Sequence, residues 1–169
     1  MEFLPLRTGD DEGIRRMSAM AAAIVREHFD PLIGPAQNDY MIARFQTPEA
    51  IAEQLRQGYS YWFVTEAGRD LGFLAFYPRG SAMYLSKFYL WKHERGKGYA
   101  REMLDFVVRA AREAALTAVE LNVNRHNSAC RVYERLGFRV LREECNDIGS
   151  GFFMDDYVYR LSLEEGGSA

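Results

Sequence analysis

Apolar and polar positions change period several times along the chain, and each change marks an element. Residues 3–7 read as a short first strand, and Thr8 or Asp10 can cap the helix that follows. Ile14, Met17, Ala21, Ile24, Val25 and His28 then recur at helical spacing, and Pro31 is expected to end the pattern. Thr47-Pro48-Glu49 is a second start signal, with a cap, a proline in the first turn and an acid behind it; Ile51 and Leu55 share a face and Gly58 stops the helix. From Tyr61 the period drops to two. Residues 61–65 and 71–77 read as strands around a turn at 66–70, and a longer strand covers 82–91 after Pro78-Arg79-Gly80. In that strand Met83 and Leu85 share one parity while Phe88 and Leu90 share the other, so a β-bulge is expected near Ser86-Lys87. Ala100, Met103, Leu104, Val107, Ala111 and Ala114 make one apolar helical stripe. Val119, Leu121 and Val123 alternate as a strand, and residues 128–136 fit a helix capped by Asn127 and stopped by Gly137. Residues 138–141 and 152–163 complete the chain as strands around Asp147-Ile148-Gly149-Ser150-Gly151. The order is β-α-α-β-β-β-α-β-α-β-β, an α/β (α+β) arrangement of a mixed sheet flanked by helices.

Composition narrows the class. The 169 residues are 48% hydrophobic and 14% aromatic, which suits one folded domain over 1–163; the glycine-rich tail 164–169 is expected to be disordered. A net charge of −3 argues against general binding to nucleic acid or to an anionic membrane. No stretch approaches the ~20 apolar residues that span a bilayer, and the N-terminus lacks a signal peptide's pattern, so a cytoplasmic protein is expected. Cys130 and Cys145 have neither disulfide nor zinc spacing and read as buried or partly buried thiols in a reducing compartment, and no metal is implied.

One segment carries chemistry. Leu90-Trp91-Lys92-His93-Glu94-Arg95-Gly96-Lys97-Gly98-Tyr99-Ala100 runs from a strand through a glycine-rich basic turn into an amphipathic helix. Glycines let backbone approach a ligand closely, and unpaired N–H groups converge at a helix N-terminus, so a pyrophosphate is the natural guest. Arg101 stands where a dinucleotide fingerprint wants its third glycine, and the spacing is not that of a P-loop.

A second segment identifies the ligand class. Asn127, Ala129, Tyr133, Gly137 and Phe138 fall in the pattern N-x-A-x-x-x-Y-x-x-x-G-F on a strand, cap and short helix. Together with Arg95-Gly96-Lys97-Gly98-Tyr99-Ala100, which follows [Q/R]-x-x-G-x-[G/A], the chain resembles the GNAT N-acetyltransferases over roughly residues 61–163. The resemblance implies a mixed, mostly antiparallel sheet of about six to seven strands with about four helices. It also implies acetyl-CoA as cofactor. Backbone N–H groups of Arg95, Gly96, Lys97, Gly98, Tyr99 and Ala100 would hold its pyrophosphate, and main-chain groups of Phe88, Tyr89 and Leu90 would pair with the pantetheine arm. Asn127 would hydrogen-bond that arm, Ala129 would let it pass close to the helix, and Arg135 would reach a phosphate. Tyr133 would be the general acid that protonates the departing thiolate, whose reference pKa is ~8.5.

The acceptor expected is a primary amine, either a small cationic amine such as a polyamine or an amine of a protein. It must shed a proton, and Glu120, Asp155 and Asp156 are the candidate carboxylates to take it or to attract a cation. His28, His93 and His126 are not expected to act directly. The rival reading is a non-catalytic module that binds or senses acyl-CoA; acetylation of aminoacyl-tRNA is disfavoured by the negative balance. Homodimers are common among proteins that look like this, so a homodimer is expected.

Overall fold

The computed structural model describes residues 1–164. The tail expected to be disordered therefore lies outside the described residues but for Glu164. The elements are β1 (Glu2–Leu6), α1 (Asp11–Ile33), α2 (Pro35–Phe45), α3 (Pro48–Arg56), β2 (Ser60–Glu66), β3 (Arg69–Arg79), β4 (Ala82–Leu90), α4 (Tyr99–Glu113), β5 (Ala118–Asn124), α5 (Ala129–Arg135), β6 (Arg139–Gly149) and β7 (Phe152–Ser162). Seven strands hydrogen-bond in the order β1-β2-β3-β4-β5-β7-β6. The β4–β5 pair is parallel, and β1–β2, β2–β3, β5–β7 and β6–β7 are antiparallel. Among the described residues no helix is long and apolar enough to cross a membrane.

Two compact units divide the chain, one of Met1–Tyr77 with Lys87–Ala100, the other of Pro78–Ser86 with Arg101–Ala169. In the first, Asp10 caps α1 by accepting the Gly13 N–H at 3.0 Å, and one face of α1 buries Ile14, Met17, Met20, Ala21 and Ile24. They pack with Ile51 and Leu55 of α3 and with Leu6, Tyr61, Phe63, Phe73 and Ala75 of the strands. Each large apolar side chain buried here contributes about 1.5–3 kcal/mol before entropy is counted. In the second unit the interior is built from Met103, Leu104, Val107 and Ala111 of α4, Val119, Leu121 and Val123 of β5, and Val158 and Tyr159 of β7, all buried.

Three boundaries differ from the sequence reading. The first helix does not stop at Pro31 but runs to Ile33, because a proline in the last turn removes one hydrogen bond without blocking what remains; Gly34, at φ 88°, ends it. Pro35 then starts α2, which the hydrophobic pattern missed because only Ile42 and Asn38 are buried on it. Asn38 is the tether, its Nδ2 donating to Val25 O at 3.1 Å and Asp30 Oδ1 at 2.6 Å. Strand β6 extends well past Leu141, and the hairpin turn narrows to Ser150-Gly151, both at positive φ. The thiol of Cys145 is exposed rather than buried, since most of β6 faces solvent, while Cys130 is half-buried.

Gly72 of β3 sits under the end of β4. A Cβ there would lie 2.0 Å from the carbonyl oxygen of Tyr89 and 2.9 Å from Leu90 Cα. Both obstacles are backbone, so neither can rotate away. Gly72→Ala is expected to lower stability by about 2 kcal/mol or more, the scale of core overpacking, read as a fall in the urea midpoint. A midpoint equal to wild type would show that β4 can shift freely.

Candidate active site

Burial along β4 alternates through Met83, Leu85 and Lys87, then resumes at Leu90 with opposite parity. The break expected near Ser86-Lys87 therefore falls at Phe88-Tyr89. The offset arises because Lys87, polar in sequence, occupies an interior position and continues the inward series. On the neighbouring β3, the register to β2 jumps from Val64↔Gly72 to Thr65↔Asp70, leaving Leu71 as the bulged residue. Its carbonyl accepts the Trp91 N–H at 3.0 Å, just past the end of β4.

A single turn of 3-10 helix, Lys92–Glu94, follows. The Glu27 carboxylate of α1 accepts the Lys92 N–H at 2.7 Å. Glu94 turns inward, its side chain 1% exposed. Arg69 donates to it through Nε (2.8 Å) and Nη2 (3.3 Å), and Lys97 Nζ donates at 2.9 Å. The hydrogen bonds from Arg69 and then Lys97 pull the Glu94 carboxyl down to about 2. Nothing local in the sequence marked Glu94, because its main partner lies 25 residues away.

The glycine turn hangs from that ion pair. Gly96 (φ 76°) and Gly98 (φ 85°) adopt the left-handed conformation that only glycine takes without strain. An added Cβ on either would meet nothing within 4 Å, so the space beside the turn is open. Tyr99 and Ala100 begin α4, and the first N–H groups of a helix have no intrahelical acceptor. Neither basic side chain of the turn points outward alone: Lys97 is held by Glu94, and Arg95 donates to Leu90 O at 3.3 and 3.2 Å and contacts His28 Nδ1 at 3.2 Å. A donor set of backbone N–H groups with open space in front suits a pyrophosphate. The first unit thus holds Phe88, Tyr89, Leu90, Arg95, Gly96, Lys97, Gly98, Tyr99 and Ala100 of the expected cofactor residues.

The second unit holds the others. Asn127 is buried, and its Oδ1 accepts the Ala129 N–H at 2.8 Å at the entry to α5; the N-cap itself is Ser128, one residue after the one expected. The far end closes with Phe138 N–H donating to Tyr133 O (3.0 Å) and Gly137 N–H to Glu134 O (3.1 Å), a Schellman motif with Gly137 at φ 101°. Tyr133 is 9% exposed, edge-on to Phe138 at 5.7 Å and tilted against Tyr159 at 6.3 Å. Arg135 is exposed. Tyr159 donates to Glu134 Oε2 at 2.7 Å.

The three candidate carboxylates divide by environment. Glu120 is claimed by Arg160 and, at 3.7 Å, by Arg79. Asp155 pairs with Arg125 at 2.9 Å. Asp156 is 2% exposed and accepts from Asn122 Nδ2 at 3.2 Å, while Tyr84 donates to Asn122 Oδ1 at 2.9 Å. Burial pushes the Asp156 carboxyl up, against the pull of Asn122. Among the described residues no group of three or more His, Cys, Asp or Glu is placed to hold a metal ion.

Comparison with known proteins gives one family. The sequence profile of the acetyltransferase (GNAT) domain matches residues 29–154. No curated protein matches the chain. Among solved structures, PaiA N-acetyltransferase of Thermoplasma acidophilum in complex with coenzyme A is similar at 15% identity, with 96% of this chain and 99% of that chain covered and a TM-score of 0.76. A GCN5-related N-acetyltransferase of Rhodopseudomonas palustris is similar at 14% identity, with 96% and 95% covered and a TM-score of 0.77. A spermidine N-acetyltransferase chimera from Vibrio cholerae and hSSAT is similar at 14% identity, with both chains fully covered (100% and 100%) and a TM-score of 0.68.

Ionised Glu94 stabilises the turn, and its folded pKa lies below the ordinary 4.5. That stabilisation is present above about pH 4.5 and is lost as pH falls through about 2. Glu94→Gln is expected to melt several degrees below wild type at neutral pH, with the gap closing across that acid window in thermal scans. A gap that stays constant with pH would show that the carboxylate's charge does not matter.

Proposed function

The chain belongs to the GNAT acetyltransferase family, and from that premise we propose that it moves an acetyl group from acetyl-CoA to a primary amine by direct attack, with Tyr133 as general acid. The observation that carries this reading is the turn at Gly96 and Gly98, open on one side and leading into the first N–H groups of α4. Backbone donors at Arg95, Gly96, Lys97, Gly98, Tyr99 and Ala100 would hold the pyrophosphate of the coenzyme. Main-chain groups of Phe88, Tyr89 and Leu90 would carry the pantetheine arm, although Leu90 O already accepts from Arg95. Asn127 and Ala129 would line that arm's path, and Arg135, exposed, is free in geometry to reach a phosphate.

The chemistry asks for one proton to leave the amine and one to reach sulfur. A lysine-like amine has a pKa of ~10.4, so it arrives charged and must be deprotonated. Asp156 is the best of the three carboxylates for this, because burial raises its affinity for a proton, whereas Glu120 and Asp155 are tied to arginines. Tyr133, whose phenol O–H is a donor, would protonate the thiolate as it departs. The acceptor we infer is a small cationic amine such as a polyamine. The supports are the net charge of −3, the buried Asp156 and the likeness to a spermidine N-acetyltransferase. The same reading takes 1–163 as one acetyltransferase domain, since the matched profile crosses from one unit to the other, and the protein as a cytoplasmic homodimer.

Thiol release from acetyl-CoA against a panel of polyamines, amino acids and lysine peptides tests this. Tyr133→Phe is expected to lower kcat by about a hundredfold while acetyl-CoA affinity holds. Gly98→Ala is expected to do the reverse, weakening acetyl-CoA binding by forcing a Cβ onto φ 85°. Binding without turnover on any amine would instead favour an acyl-CoA sensor. A Tyr133→Phe enzyme as fast as wild type would remove the phenol from the mechanism.

A further inference from the structure

Lys87 is a lysine in the wrong place for a solvated charge. It is 5% exposed on β4, and the three N–H groups of its Nζ face four oxygens, Phe45 O, Gln46 Oε1 and Gln54 Oε1 each at 3.0 Å and Tyr61 Oη closer still, so that one N–H is shared. The cluster is closed on itself. Tyr61 donates to Gln54 Oε1, Gln54 Nε2 donates to Phe45 O at 3.2 Å, and Ser18 of α1 donates to Gln46 O at 2.6 Å. Phe45 and Gln46 form the link between α2 and α3, Gln54 lies on α3, and Tyr61 on β2. One ammonium therefore ties the α2–α3 link and two further elements to the residue just before the break in β4.

Among the described residues no carboxylate hydrogen-bonds Lys87 Nζ. The tyrosine in the cluster, Tyr61, is neutral in this range, its phenol being pushed well up by burial. On α3, Glu49 and Glu53 point to solvent, and Glu53 pairs with Arg56 at 2.9 Å. Neutral oxygens stabilise a buried cation less than a carboxylate does. Burial accordingly lowers the Lys87 pKa from 10.5 to about 7. Deprotonation removes one of three donors, and the lone pair it leaves can accept only from Tyr61, which then releases Gln54.

We propose that Lys87 is a positioning residue for the acyl donor: its ammonium clamps the α2–α3 link onto β4 and so holds the main chain of Phe88, Tyr89 and Leu90 in the form that pairs with the pantetheine arm. The inference rests on the reading of those three residues given above. Its consequence is that acetyl-CoA affinity follows the protonation of a side chain that never touches the ligand. Lysine is suited to this because its charge, unlike arginine's, is removable at neutral pH.

The test measures acetyl-CoA affinity by calorimetry from pH 5.5 to 9 on wild type, Lys87→Met and Gln46→Glu. Wild-type affinity is expected to fall as pH rises through about 7. Lys87→Met is expected to bind about tenfold more weakly at the acid end, the scale of one lost charge-assisted hydrogen bond, and to lose that inflection. Gln46→Glu sets a carboxylate against the ammonium and is expected to move the inflection up by about one pH unit or more. A merely structural lysine would leave the inflection where it is. If Lys87→Met does not fold, the displaced or undisplaced inflection of Gln46→Glu decides. Parallel profiles in all three proteins would overturn the inference while leaving the acetyltransferase reading intact. A wild type that does not bind acetyl-CoA at all would overturn that reading, and this inference with it.

Discussion

No side chain can stand on residue 72. The carbonyl of Tyr89 comes so near Gly72 that a methyl group would occupy the same space, and this approach constrains the end of β4 from which the glycine turn follows. With Tyr89 turned over the glycine, β4 leaves regular alternation, Trp91 reaches back to Leu71 O, and the 3-10 turn delivers Glu94 inward instead of out. The glycine turn and the start of α4 inherit their position from those three steps. A larger residue at 72 would act at a distance, through backbone alone, on groups more than twenty residues further along.

Two buried charges flank this segment, and their surroundings differ in kind. Glu94 faces Arg69 and Lys97, so cations repay its desolvation and its proton is held off far into acid. Lys87 faces only carbonyl, amide and phenol oxygens, so its desolvation is offset by dipoles and its proton becomes labile near neutrality. One is a fixed anchor across the working pH range, the other an adjustable one. Both lie within ten residues of each other in sequence, on either side of the break in β4.

The elements with strong period are legible in the sequence itself. Those of α4, β2, β5 and the α5 stop stand where alternation and Gly137 put them, because each signal is local and needs no distant partner. The parity slip of β4 was legible too, but it was misplaced by two residues, since a lysine is assumed to face water and this one does not. Helix α2 was missed for a related reason: it is held by the amide of Asn38 more than by an apolar stripe. Of the site, the glycine turn could be read because φ and open space select residue type directly. Glu94 and Lys87 could not, because the Arg69 that pairs with Glu94 and all the partners of Lys87 lie 25 to 42 residues away and only the fold brings them together.

The division of labour between backbone and side chain explains how such a site tolerates divergence. Structures 14–15% identical to this chain share its fold over nearly all their length. A cofactor held by N–H groups demands little of side chains: two residues able to adopt positive φ, and a helix that begins where they end. What must be kept instead is the path of the main chain, and different sequences can keep it with different interior groups. Along that path here stand Gly72, where no methyl fits, a buried carboxylate at Glu94 and a buried ammonium at Lys87. The acid–base groups are in the opposite position, since a proton can only be moved by a particular atom. On the proposed reading, Tyr133 on α5 and Asp156 on β7 would be where the chemistry depends on particular side chains, as distinct from the backbone groups that would hold the coenzyme.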